Sequence, residues 1–94
     1  MLHALKTIQP YFDMVKLGKK TFELRKDDRP YNEGDKVVLQ EWDGEKYTGQ
    51  ELTFEIGSIL RNAKQFGLKE GYCAFTLYTR PITIPQSATP PQTH

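Results

Sequence analysis

The stretch Gly18-Lys19-Lys20-Thr21-Phe22-Glu23-Leu24-Arg25-Lys26-Asp27-Asp28-Arg29 constrains this chain more than any other. It opens with a glycine suited to ending a helix and then alternates strictly, the pattern of a strand with two unlike faces. Phe22 and Leu24 share one face; Thr21, Glu23 and Arg25 share the other. Five of the twelve residues are basic and three acidic, so the polar face offers both donors and acceptors. The apolar face is predicted to join Val38, Phe54, Ile56 and Phe75 in one core.

The rest of the chain reads as a scaffold for that strip. Leu2–Lys6 suits a first strand, and a short helix follows over Pro10–Leu17, with Ile8, Phe12 and Val15 on one side. After the strand Lys20–Arg25, a loop over Lys26–Gly34 leads to a strand over Lys36–Trp42. Asp43-Gly44 offers a turn, Glu45–Gly49 suggests a longer hairpin loop, and Glu51–Leu60 alternates apolar and polar residues. Arg61–Gly71 breaks the pattern with one helical turn near Asn62–Phe66, and Tyr72–Tyr78 is the last strand. With no βαβ spacing, the order predicts a mainly β (α+β) fold: a small, mostly antiparallel β-barrel with one or two short helices. The Pro10–Leu17 helix is expected to plug one side of a closed or nearly closed barrel.

Ninety-four residues supply one modest core, and the net charge of +1 gives no global field. The distribution says more. Residues 16–29 and 58–80 each carry +3, while residues 30–57 between them carry −5. If the two positive segments meet, they form a basic cleft that the total conceals. Cys73 is the single cysteine, which excludes an internal disulfide and suits a reducing, cytoplasmic setting. No apolar run is long enough to span a bilayer, so no membrane partner is expected. Residues 81–94, rich in Pro, Thr and Gln, read as a tail outside a domain of residues 1–80, disordered from about 85.

His3-x-Leu5-Lys6, Pro10-Tyr11-Phe12 and the Gly18–Arg29 stretch together resemble the ASCH superfamily, whose fold is PUA-like. Gly34-Asp35, Gln40-Glu41-Trp42-Asp43, Tyr47-Thr48-Gly49 and Leu68-Lys69-Glu70-Gly71-Tyr72 extend the resemblance over about residues 1–80. Within the superfamily it is to an uncharacterised bacterial and phage group described as RNA-signal-recognition-like. The resemblance implies a PUA-like barrel, a cleft beside Gly18-Lys19-Lys20-Thr21, and a role in binding RNA or a nucleotide. A related branch hydrolyses N4-acetylcytidine. Its catalytic lysine corresponds to Lys20, its threonine nucleophile falls at Glu23, and its glutamate lies in a segment where Glu70 is the one acidic residue. The missing hydroxyl at position 23 argues against that reaction here.

Each candidate has a plainer reading beside the functional one. Lys19 and Lys20 follow a helix end, where exposed carbonyls favour cations, so they either bind a ligand or neutralise that end. Thr21, Glu23 and Arg25 either read a base edge or pair across strands. Lys26, Arg29, Lys64 and Lys69 either meet phosphate or solvate loops. Trp42, Tyr47 and Tyr72 either stack on unpaired bases or fill the core. His3 has no partner at metal-ligand spacing and belongs in a polar network; no metal or cofactor is expected. The favoured reading is a stand-alone module binding RNA or a nucleotide through Lys20, Arg25, Arg29 and Lys64, with Thr21 and Glu23 reading the base. The alternatives are a hydrolase of a modified nucleoside, using Lys20 with Glu23 or Glu70, and a protein-binding adaptor.

Overall fold

The computed structural model describes residues 1–79. Its elements are β1 (Leu2–Ile8), α1 (Tyr11–Lys16), β2 (Phe22–Lys26), β3 (Lys36–Trp42), β4 (Tyr47–Arg61), a single 3-10 turn at Lys64–Phe66, and β5 (Tyr72–Tyr78). The strands form one mixed sheet, order β1-β3-β4-β5-β2, curled into a half-barrel. The expected mainly β class is what forms. The expected tail and its disorder lie outside the described residues.

β4 produces the curl. Its first part pairs with β3 as far as Glu55, and its second part pairs with β5 from Glu55 onward. The register shifts between Ile56 and Ile59, where an irregularity tightens local twist. Gly57 sits at this bend because a side chain there would strike Thr76: an added Cβ would lie 2.5 Å from its Oγ1. That hydroxyl already accepts the Ser58 N–H at 2.9 Å.

Two features depart from the sequence reading. β1 pairs with β3 in parallel, whereas no parallel pairing is expected from the spacing. The connection between them contains α1 and β2, ample chain for the crossover that a parallel pair needs. The other three pairings are antiparallel, so the sheet is mostly antiparallel as expected. Secondly, the barrel does not close by main-chain pairing: β1 and β2 are the two sheet edges, and they face each other across a seam.

The core comprises Leu5, Phe12, Val15, Tyr31, Val37, Leu39, Ile56, Cys73 and Phe75, with Leu52, Phe54, Ile59 and Leu77 packed against it. Ile56, Phe75 and part of Phe54 thus fall where the alternation places them, while Val38 is only half-buried. Phe22 and Leu24 do not. They are 52% and 56% exposed, and Glu23 between them is 3% exposed. The strand has the expected alternation with its faces exchanged. A charged residue tolerates the inner side only when paired, and Glu23 has two cations beside it.

Tyr31 takes the interior space left open. Its ring lies 4.8 Å from that of His3 and 5.0 Å from that of Phe75. Burial pushes its phenol upward, against the opposing pull of Arg29 and Arg25. His3 belongs to a polar network as expected, with Nε2 2.8 Å from Asp35 Oδ2, which also accepts the Asn32 N–H. The loop is tied to β4 by main-chain bonds from Gly34 N to Ile56 O and from Ile56 N to Asp35 O.

Candidate functional site

The seam between β1 and β2 widens into a cavity of about 550 Å³. Lys6, Thr7 and Ile8 of β1 form one side; Phe22, Glu23, Leu24 and Arg25 of β2 form the other. Tyr11 and Met14 of α1 stand at one end with Lys19 and Lys20.

The lysines reach this position because of how α1 ends. Gly18, at φ +77°, carries the backbone conformation that an L side chain disfavours. Its N–H bonds to Val15 O and the Lys19 N–H to Met14 O, which is a Schellman closure. The Lys20 N–H also reaches Met14 O, at 3.0 Å. The chain therefore turns sharply out of α1 and delivers Lys20 to the start of β2.

Glu23 forms the floor. Its Oε2 accepts from Lys20 Nζ at 2.6 Å, and its Oε1 accepts from Arg25 Nε at 2.8 Å. Lys20 Nζ also donates to the Phe22 carbonyl at 2.7 Å. Arg25 reaches across the seam, donating through Nη2 to Lys6 O at 3.0 Å and to Thr7 Oγ1 at 3.4 Å. Further along, Arg29 Nη1 donates to Ala4 O at 3.4 Å. Arginine side chains thus bridge the seam where main-chain pairing does not.

Above this floor the walls are apolar. Ile8, Tyr11, Met14, Phe22 and Leu24 are all large hydrophobic residues with a third or more of their surface exposed. Singly such residues are ordinary, but grouped around one concavity they mark a binding surface. Lys6, Lys19, Lys20 and Arg25 line the cavity with the single carboxylate of Glu23, the Lys6 ammonium lying over Trp42 and Lys20 and Arg25 holding that carboxylate. The cavity is therefore suited to a compact anion with an apolar, flat portion. A carboxylate holding two cations still has lone pairs for a further donor.

The family model "Domain of unknown function (DUF3850)" matches residues 2–77. The chain belongs to this family. It is also 40% identical over 58 residues to an "Uncharacterized 12.9 kDa protein in GpA 3'region" of Escherichia phage P2. That alignment covers 62% of this chain and 53% of the phage protein, so the chain spans about half the length of the relative it matches. No helix among the described residues is long and apolar enough to cross a membrane.

In this DUF3850 domain, Lys19, Lys20, Glu23 and Arg25 line one cavity. The other candidates lie elsewhere. Thr21 is exposed and outside the lining; its carbonyl accepts the Leu77 N–H in the β2–β5 ladder. Lys26 is exposed at the end of β2, opposite Tyr72. Trp42 stands beyond the cavity with Tyr47 edge-on at 4.9 Å and Lys6 Nζ 4.1 Å from its ring. Tyr72 carries Lys69 Nζ at 5.4 Å, and Lys64 lies on the 3-10 turn. Glu70, in the loop before β5, does not line the cavity. The two positive segments do adjoin through β2 and β5, but Arg61 is taken up by Asp27, 2.8 Å away. Lys6, Thr7, Ile8, Tyr11, Met14, Phe22 and Leu24 are cavity residues that sequence reasoning missed. The apolar ones read as core until the orientation of β2 is known.

Proposed function

We propose that this chain is a PUA-like binding module, of the ASCH type its motifs resemble, whose seam cavity takes a nucleotide-like group, free or within RNA. The observation that supports this is the combination within one concavity: an acceptor, Glu23, on a cationic floor beneath aromatic and aliphatic walls. Cations attract phosphate, the walls cover the face of a base, and the carboxylate accepts from its amino or imino group. The test is a calorimetric binding screen of nucleosides, nucleotides and short RNAs. A nucleotide is expected to bind, and Glu23→Gln to weaken it about tenfold, the value of one hydrogen bond to a charged acceptor. Absence of binding across the screen overturns the reading.

A second reading, hydrolysis of a modified nucleoside, is favoured by the 2.6 Å contact between Lys20 and Glu23 inside the cavity. It is the weaker reading. Position 23 has no hydroxyl to form an ester intermediate, and Lys20 Nζ is already donating to two acceptors. No turnover of N4-acetylcytidine is expected. Turnover that disappears in Lys20→Ala would instead establish an enzyme.

A further inference from the structure

We infer that the cavity reads its ligand through the unpaired main chain of its two sheet edges, at Leu24 of β2 and Ile8 of β1. This rests on the nucleotide reading above and adds to it the group that recognises the base. The ladders establish which main-chain groups face the seam. Leu77 N bonds to Thr21 O and Asp27 N to Gly71 O, with Phe22 opposite Thr76 and Lys26 opposite Tyr72. The odd-numbered residues of β2 therefore exchange bonds with β5, and Phe22, Leu24 and Lys26 turn their N–H and C=O groups to the seam. On β1, Lys36 N bonds to Met1 O and the parallel register begins at Leu2 opposite Lys36. There the odd residues serve β3, while Leu2, Ala4, Lys6 and Ile8 face the seam.

Side chains occupy part of these edges. Arg29 binds Ala4 O, Arg25 binds Lys6 O and Lys20 binds Phe22 O. Leu24 and Ile8 have no main-chain or side-chain partner at the seam among the described residues, and both line the cavity. Each presents an N–H and a C=O on the same side of an extended strand. That matches a heterocycle edge carrying an adjacent acceptor and donor, which every nucleobase possesses. Both residues are about half exposed, so these groups exchange water for the base on binding. A running peptide strand fits less well. Arg25 crosses the seam at one end and α1 closes the other, so the open edge is only about as long as Phe22–Leu24.

Proline at position 24 separates this main-chain role from the side chain. It removes an N–H that the β2–β5 ladder does not use, and edge strands tolerate proline in that orientation. The probes are the four ribonucleoside 5′-monophosphates and ribose 5-phosphate, which has the anion without the base. In the wild type at least one nucleotide is expected to bind about tenfold more tightly than ribose 5-phosphate. Leu24→Pro should erase that difference, losing about tenfold more nucleotide affinity than Leu24→Ala, with ribose 5-phosphate binding little changed. In the wild type, the Leu24 and Ile8 amide resonances should shift, and their hydrogen exchange should slow, with the nucleotide but not with ribose 5-phosphate. That measurement stands even if Leu24→Pro fails to fold. Binding of no nucleotide overturns the proposed function and this inference together. Nucleotide binding with equal losses in Leu24→Pro and Leu24→Ala, or with both amides unmoved, overturns the inference alone.

Discussion

Glu23 is the residue on which the site depends. Its side chain is 4% exposed, against 13% for Lys20 and 25% for Arg25, so most of the ion-pair network is withdrawn from water. Removing one partner of such a group leaves charge poorly compensated, at roughly 3–5 kcal/mol for full burial. Arg25 is partly exposed and Lys20 remains, so Arg25→Ala should cost about 2 kcal/mol in urea unfolding. Arg25→Lys should recover only part, because a single ammonium does not reproduce the fork that bonds Glu23 and Lys6 O together. An unchanged urea midpoint in Arg25→Ala would show the pair to be energetically idle. Asp35 gives the second residue-scale prediction. The His3 hydrogen bond, with those of the N-terminal ammonium and the Asn32 N–H, holds its carboxyl below the ordinary 3.8, against the opposing effect of burial. A lowered folded value means stability present above pH 3.8 and lost as pH falls through the folded value. The thermal midpoint should drop on that acid limb, and the drop should be shallower in Asp35→Asn. Equal slopes in the two proteins would remove Asp35 as the cause.

Among the elements, β4 does the most to shape the molecule, since it belongs to both halves of the sheet and bends between them. The bend depends on the close approach of Gly57 to Thr76. Gly57→Ala must displace the Thr76 hydroxyl or the strand, and the former loses the Ser58 N–H bond. A destabilisation of about 1–2 kcal/mol is expected, typical of overpacking. Thr76→Ala removes the clashing atom and the acceptor of the Ser58 N–H together, so adding Gly57→Ala to Thr76→Ala should cost little more than Thr76→Ala alone. Additive losses in the double variant would mean that the backbone, not the hydroxyl, sets the requirement.

For the whole molecule, a total of +1 coexists with a local excess of cations at the seam. The attraction for an anionic ligand is therefore local, and its salt dependence counts the cations involved. If three or four of the cations at and around the seam meet phosphate, single-stranded RNA should bind with a log–log salt slope of roughly −2 to −3. A slope near zero would limit the ligand to a mononucleotide or smaller. Longer RNA that binds no better than a nucleotide would point the same way.

Much of this structure is legible in the sequence, at the level where local chemistry decides. β3 and β5 occupy the spans their composition indicates, and α1 ends at Gly18 because the closing turn needs a positive φ. The unlike faces of β2 are equally plain, since a period of two requires only neighbouring residues. Which face lies inside is not local information. Inverting a strand preserves its period, and the choice depends on what waits on each side. Here Lys20 and Arg25 make the inner position tolerable for Glu23, while Phe22 and Leu24 find a cavity wall shared with β1 and α1. The parallel pairing of β1 with β3 is likewise a long-range outcome, permitted by chain length but dictated by closure of the sheet. The sequence by itself determined the order of the elements, the helix stop and the cluster of charge around Glu23, while Ile8 and residues 47–50 join strands beyond the spans it indicates. Only the tertiary structure turned that cluster inward and opened the seam above it, because burial is a property of the assembled surfaces and not of the strand alone.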